Sequence, residues 1–203
     1  MALSDSGICL NQIHKNPEEY VHGEYLTMYI EELLVKCNKT LNDLDAISVS
    51  IGPGSYTGLR IGLAVGKGLC FGLKIPLLTV ETLDSLLETG RKKHPQQTLC
   101  ACIDARRMEV YSKVKSAEGE CYYESNAIVI DKNSFIEFEP FVYFGDGSAK
   151  LKEAWKDRPL KLDEDIHLSA EGQISLAVLK LRNKDFDDLA YIKPLYIKEF
   201  RIG

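Results

Sequence analysis

The segment 51–62, which reads IGPGSYTGLRIG, constrains the fold of this chain more than any other. It follows an apolar run over residues 46–51 that is typical of a buried strand. Gly52 and Gly54 then allow the backbone to turn sharply where a Cβ would clash. The segment therefore predicts a strand that ends in a tight glycine turn.

The turn is followed by a predicted helix with a capping residue at its start, either Ser55 or Thr57. A strand that turns onto a helix N-terminus brings free N–H groups and the positive end of the helix dipole together, and such a place can bind an anion. The same pattern is also typical of tight turns that bind nothing. The spacing leaves both interpretations open.

Two nucleotide-binding motifs can be compared with this turn. A Walker A loop needs G-x-x-x-x-G-K-[ST]. Here Gly66 and Lys67 are followed by Gly68 instead of Ser or Thr, and Ile61 stands where the first glycine should be. The dinucleotide fingerprint G-x-G-x-x-G fails by one residue, because its third glycine falls at Gly58. A nucleotide-dependent phosphotransferase or dehydrogenase that uses the Gly52–Gly58 turn remains the alternative function.

Apolar periodicity predicts mixed α/β elements in both halves of the chain. A polar stretch around Pro95 separates the halves, so we place the domain boundary between residues 1–95 and 96–203. Strands precede helices in each half, which favours two lobes with mixed sheets. The predicted strands are a hairpin over 2–13, then 46–51, 76–80, 98–104, 109–115, 121–130 and 141–144. The predicted helices are 17–37, 57–73, 82–89 ending at Gly90, 149–155, and 169–182 capped by Ser169.

Composition limits the classes of partner. The chain has 203 residues, of which 45% are hydrophobic, so it can form a packed core. A net charge of −5 disfavours a protein that holds nucleic acid by itself. Basic residues interrupt the most apolar segment, 58–80, so we expect no membrane span. The six cysteines form no C-x-x-C motif, and we expect them to be buried thiols in a reducing cytoplasm.

The second helix carries glycines at an unusual spacing. Gly58, Gly62 and Gly66 are four residues apart and share a face. Each interior glycine costs up to ~1 kcal/mol relative to alanine, so we expect something to pack closely there.

Large residues also lie outside the expected core stripes of the first two helices. They either contact a partner protein or are scattered singly on the surface, and both patterns are common. The predicted partner-facing residues are Tyr25, Met28, Tyr29, Leu63, Lys67 and Phe71.

Four separate motifs resemble, in the expected order, the TsaB family of bacterial tRNA threonylcarbamoyladenosine biosynthesis. They lie at residues 2–7, 51–83, 103–111 and 193–197, and the resemblance is strongest over 45–86. It implies a two-lobed, actin-like and ribonuclease-H-like (ASKHA) fold. It also implies a non-catalytic subunit that docks through its first two helices on the transferase TsaD. The pair would work with the ATPase TsaE and contact tRNA only indirectly.

The resemblance implies further properties of the site and the assembly. The chain would hold no catalytic centre, metal or cofactor of its own, and ATP or ADP would bind only at the interface of the complex. The related TsaD uses a metal-binding H-x-x-x-H motif, whereas here Leu26 stands four positions after His22. Homodimerisation through the same helices is an alternative state. The family opens with a further strand before the segment matching 2–7, so we expect an incomplete N-terminal lobe.

The segment 104–109, DARRME, combines carboxylates and cations in a predicted turn between strands. A pair of carboxylates can do acid–base chemistry. The simpler interpretation is an ion-paired hairpin turn, which is the one that we favour.

Overall fold

The computed structural model describes residues 1–14 and 23–198, and side chains in the second range from residue 25 onward. Its elements are mixed α and β. The strands are β1 (Ala2–Asp5), β2 (Ile8–Gln12), β3 (Ile47–Gly52), β4 (Leu77–Glu81), β5 (Thr98–Asp104), β6 (Glu109–Lys115), β7 (Cys121–Val129), β8 (Phe141–Phe144) and β9 (Lys161–Leu162). The helices are α1 (Gly23–Lys36), α2 (Tyr56–Leu73), α3 (Thr82–Lys93), α4 (Ser148–Ala154) and α5 (Ile174–Asn183).

One compact unit comprises Met1–Glu81 and Ser169–Pro194. Within it β1 pairs antiparallel with β2, as the hairpin prediction requires, and β3 pairs parallel with β4. Leu63 and Cys70 of α2 pack with Leu77 of β4 in its core. The C-terminal segment completes this core through partly buried Leu189 and Ile192.

The other compact unit comprises Thr82–Leu168 and the chain from Leu195 onward. Its sheet has the order β7-β6-β5-β8-β9, antiparallel from β7 to β5 and parallel from β5 to β9. One core cluster surrounds Trp155, and a second joins leucines of α3 to β5 and β8. Successive side chains of a strand point to opposite faces of the sheet, so the residues of β5 contribute alternately to the two clusters.

The division of the structure differs from the boundary predicted at residue 95. Helix α3 belongs to the second unit, because Leu83, Leu86 and Leu87 are buried against β5 and β8. The segment after residue 168 returns to the first unit, where Asp187 binds β4. A polar stretch marks a surface turn, but it does not show which sheet the flanking helices cover.

Two helix predictions need correction. The helix expected to end at Gly90 continues to Lys93, and a Cβ on Gly90 would lie 2.3 Å from Cζ of Phe144. Gly90 is therefore a close-packing residue inside the helix. The helix predicted over 169–182 begins as a 3-10 turn, Ala170–Gln173, before α5. Ser169 caps that turn as expected, since its side chain accepts a hydrogen bond from the N–H of Glu171 at 3.1 Å.

Candidate partner-binding surface

The glycine turn has the predicted strand–turn–helix form. Gly52 has a φ of 118°, a left-handed conformation that favours glycine. The N–H of Gly58 donates to Oγ of Ser55 at 3.3 Å, so Ser55 is the N-cap of α2. Thr57 instead lies in the first turn of the helix with an exposed side chain, and Gly54 is also exposed.

The cap uses a donor that a bound anion would need. The first N–H groups of a helix have no partner within the helix, and the Ser55 hydroxyl now satisfies one of them. Nearby, the guanidinium of Arg60 stacks over the ring of Tyr56 at 4.1 Å. The structure thus shows a capped helix start, and anion binding here stays a prediction.

The glycine face of α2 turns toward β3, but only one glycine is sterically required. A Cβ on Gly66 would lie 2.6 Å from Cγ2 of Val49. A Cβ on Gly62 would lie 3.8 Å from Cγ1 of the same valine, and one on Gly58 would lie 3.4 Å from Cβ of Ser55. The predicted close approach is therefore confirmed at Gly66, where helix and strand nearly touch.

Large apolar side chains are exposed on α1 and α2, which pack against each other in the first unit. Met28 is 58% exposed and Phe71 is 81% exposed, and Tyr25 is exposed as well. Val35 of α1 is 73% exposed, although the sequence prediction omitted it. Val35 follows Met28 by seven residues, a spacing that puts both on the same side of a helix, so the sequence could have identified it. We call these four residues the outer apolar set.

Leu63 was predicted to face a partner, and this is wrong. It is only 5% exposed and packs with Cys70 and Leu77. Leu63, Gly66 and Cys70 are all buried in α2, at a spacing of three and four residues that places them on one face. Tyr29 and Lys67 are half-buried and lie between the core side and the outer side of their helices.

The acidic residues of the segment 104–109 are ion-paired, as the favoured interpretation requires. The Nζ of Lys150 lies 2.6 Å from Oδ1 of Asp104, and Lys198 pairs with Glu109. Partial burial would raise the pKa of Asp104, but the hydrogen bonds from Lys150 and from the N–H of Arg106, together with the charges of both residues, lower it. The partners are these lysines from distant parts of the chain, which the sequence alone could not identify.

The remaining titratable residues singled out from the sequence are mostly structural. Cys70, Cys100 and Cys102 are buried thiols, as predicted, and burial raises the pKa of Cys102. The other three cysteines are only half-buried. His94 is buried beside Asp163, whereas His22 lies outside the described residues.

No group of three or more His, Cys, Asp or Glu side chains within 1–14 and 23–198 could hold a metal ion. None of the helices in that part of the chain combines the length and the apolar character needed to cross a membrane.

Several known proteins are similar to this chain in sequence. A family model described as TsaD: tRNA N6-adenosine threonylcarbamoyltransferase matches residues 16–192. The tRNA threonylcarbamoyladenosine biosynthesis protein TsaB of Haemophilus influenzae is 34% identical over 107 residues, which cover 50% of this chain and 45% of that protein. The TsaB of Bacillus subtilis is 33% identical over 154 residues, which cover 70% of this chain and 61% of that protein.

A solved structure shares the fold. It is described as an uncharacterized protein with similarity to peptidase YEAZ from Pseudomonas aeruginosa. The match has a TM-score of 0.80 and 26% sequence identity, and it covers 97% of this chain and 93% of that one.

The family model covers most of the chain, so the chain belongs to the family of tRNA N6-adenosine threonylcarbamoyltransferase proteins that it describes. Within that family, the TsaB relatives and the YeaZ-like structure make it a TsaB-type chain with the mixed α/β, actin-like fold that the sequence implied. Those two TsaB relatives are named as tRNA threonylcarbamoyladenosine biosynthesis proteins. The aligned stretches span only 45% and 61% of the two TsaB relatives described above.

Proposed function

We propose that this chain is a non-catalytic subunit that binds a TsaD-type transferase and supports threonylcarbamoyl transfer to tRNA. The outer apolar set on α1 and α2 carries the proposal. Aromatic residues and methionine are enriched in protein interfaces, and the strongest anchors are large side chains near the centre. Three such groups and the exposed Val35, on two adjacent helices, form a surface suited to another protein rather than to a small molecule.

The small residues of α2 add a geometric reason. Ala64 and Gly68 are exposed between Arg60 and Phe71, and Gly72 is exposed directly after Phe71. A Cβ on Gly68 or Gly72 would have no neighbour within 4 Å. The distance between packed helix axes depends on the side chains at the contact, so small residues allow a partner helix to come close. Phe71 would then be a knob at the end of a flat helix face.

The test is the double variant Met28→Ala with Phe71→Ala. Anchors of this kind often contribute ~2 kcal/mol each, so binding to the transferase should weaken at least tenfold, since ~1.4 kcal/mol is a factor of ten. Isothermal titration calorimetry against the purified transferase measures the affinity. Circular dichroism should show an intact fold, because neither side chain lies in the core.

A matched control is Ile136→Ala with Leu179→Ala. These side chains are also exposed and apolar, but they lie outside α1 and α2. The control should bind the transferase like the wild type. Equal affinities for both double variants and the wild type would rule out the proposed surface.

The same surface suits a homodimer when the transferase is absent. Sedimentation of the isolated chain over a range of concentrations would detect it, and Met28→Ala with Phe71→Ala should shift the equilibrium toward monomer.

We further place the ATPase TsaE in the same assembly, with any ATP or ADP at a shared interface. The alternative of a nucleotide-dependent enzyme requires nucleotide binding by the isolated chain, which titration with ATP and NAD would reveal.

A further inference from the structure

The loop between β5 and β6, residues 105–108, has an unusual conformation for its sequence. Arg106 has a φ of 66° and Arg107 a φ of 52°, so two successive arginines are left-handed. Positive φ is common for glycine and asparagine, and few other residues adopt it. Both arginines are exposed. Backbone preference therefore does not explain why arginine stands at these two positions. Residues in strained backbone conformations cluster at functional sites.

The loop is held by hydrogen bonds on both sides. The N–H of Arg106 donates to Oδ1 of Asp104 at 2.6 Å, and the N–H of Ala105 donates to the carbonyl of Glu109 at 3.2 Å. The N–H of Glu109 in turn donates to the carbonyl of Arg106 at 3.2 Å. The backbone of the loop is thus held in place before any ligand arrives, which lowers the entropy cost of binding.

The acidic groups at the base of the loop are already engaged. Asp104 pairs with Lys150, and Glu109 pairs with Lys198. Asp146 accepts the backbone N–H of Asp104 at 2.9 Å. Among the described residues, no carboxylate lies within ion-pair distance of either arginine in the loop.

Another basic run shows the opposite arrangement. Arg91 donates to the carbonyl oxygens of Pro95, Gln97 and Ser116. Lys93 in the same run is committed to two aspartates. That run stabilises the fold, whereas both loop arginines are exposed and Arg106 interacts with Asp104 only at longer range.

We propose that Arg106 and Arg107 bind the phosphodiester backbone of the RNA on which the assembly acts, an inference that rests on the proposed function. Planar guanidinium groups bind phosphate oxygens in a bidentate manner, and phosphate contacts position a protein on nucleic acid. The net charge of −5 makes the surface as a whole repulsive to RNA. A direct contact must therefore be local, as this pair is, and it changes the expectation that the chain touches tRNA only indirectly.

The test is the double variant Arg106→Asn with Arg107→Gly. Asparagine and glycine adopt positive φ more readily than arginine, so the variant removes both cations and should melt no lower than the wild type. The probe is an unmodified tRNA transcript titrated with the assembled complex by fluorescence anisotropy, between about 50 and 200 mM salt. We expect affinity at low salt to fall at least tenfold. The slope of log K against log salt should decrease by about one to two, since each lost phosphate contact removes about one.

A control variant, Lys161→Asn with Arg182→Asn, removes two exposed cations elsewhere and should keep the wild-type slope. Binding to the transferase without RNA is measured first, and failure there counts against the proposed function alone; RNA binding is then measured on the isolated chain. Wild-type RNA affinity and slope in the loop variant would overturn this inference. So would a loss of transferase binding in the loop variant, since the loop would then be a protein contact.

Discussion

At the residue scale, the glycines of α2 have opposite roles on opposite sides of the helix. Gly66 faces β3, where a Cβ would overlap Val49, whereas Gly68 faces outward with no atom near its Cβ position. Only the first requires glycine for packing. The second makes the helix intrinsically weaker, which suggests that its lack of a side chain serves the outer face rather than the fold.

Gly66→Ala should therefore destabilise the protein by about 1–3 kcal/mol, because it forces extra volume into a packed contact. Gly68→Ala should instead be neutral or stabilise by up to ~1 kcal/mol through helix propensity. Urea unfolding measures both. Adding Val49→Ala to Gly66→Ala tests the cause, since it removes the overlapping methyl groups. Equal stability of the two single variants would show that the helix does not touch β3 closely.

At the element scale, one buried carboxylate ties the end of α3 to the segment after β9. Oδ1 of Asp163 lies 2.8 Å from Nζ of Lys93, and its Oδ2 lies 2.8 Å from Nε2 of His94. Burial alone would raise the pKa of this carboxyl, but the hydrogen bonds from Lys93 and His94 outweigh it and lower the pKa from 3.8 to about 2. Charged Asp163 is therefore favoured in the folded state.

This shift predicts a pH dependence with a definite sign. Because the folded pKa lies below the unfolded value, the contribution of Asp163 to stability is complete above pH 3.8 and is lost as the pH falls through about 2. Asp163→Asn should thus lower the free energy of unfolding at neutral pH. The variant should also lose less stability than the wild type as the pH falls from 3.8 to about 2. Asp165→Asn is the control, since that side chain is 90% exposed. An unchanged acid profile in Asp163→Asn would contradict the assignment.

At the scale of the whole molecule, the C-terminal segment completes the first unit. Asp187 accepts hydrogen bonds from the N–H of Thr79 at 2.7 Å and from its Oγ1 at 2.9 Å, although the residues are 108 positions apart. Lys180 lies 3.1 Å from the same carboxylate. This unit is therefore held together by two segments that are far apart in the sequence.

Asp187→Ala should cost about 2 kcal/mol, since it leaves partly buried donors without a charged acceptor. Hydrogen exchange should accelerate in β4 and in residues 184–194, because the segment loses its anchor. Asp185→Ala removes an exposed carboxylate two positions away and should change neither measurement strongly. If β4 exchanged at the wild-type rate in Asp187→Ala, the segment would not be needed to hold the strand.

Sequence patterns were sufficient for most of the elements and for the turn. The strand, the turn at Gly52 and a cap at Ser55 or Thr57 follow from local rules, because backbone conformation and capping depend on neighbours in the chain. The structure then identifies Ser55 as the cap. The hairpin over 2–13 and the strands of the second unit follow from alternation in the same way. The actin-like fold and the TsaB assignment came from motif order along the chain.

Tertiary structure decided what local patterns leave undetermined. Gly90 has the same sequence signature whether it ends a helix or lies beneath a ring, and only the position of Phe144 distinguishes the two. Leu63 was misplaced because a helix rich in small residues has no clear apolar stripe, so the direction of the sheet could not be inferred. The boundary at residue 95 and the partners of Asp104 depend on contacts between distant segments. Such contacts are set by packing of the whole chain, which a local pattern does not encode.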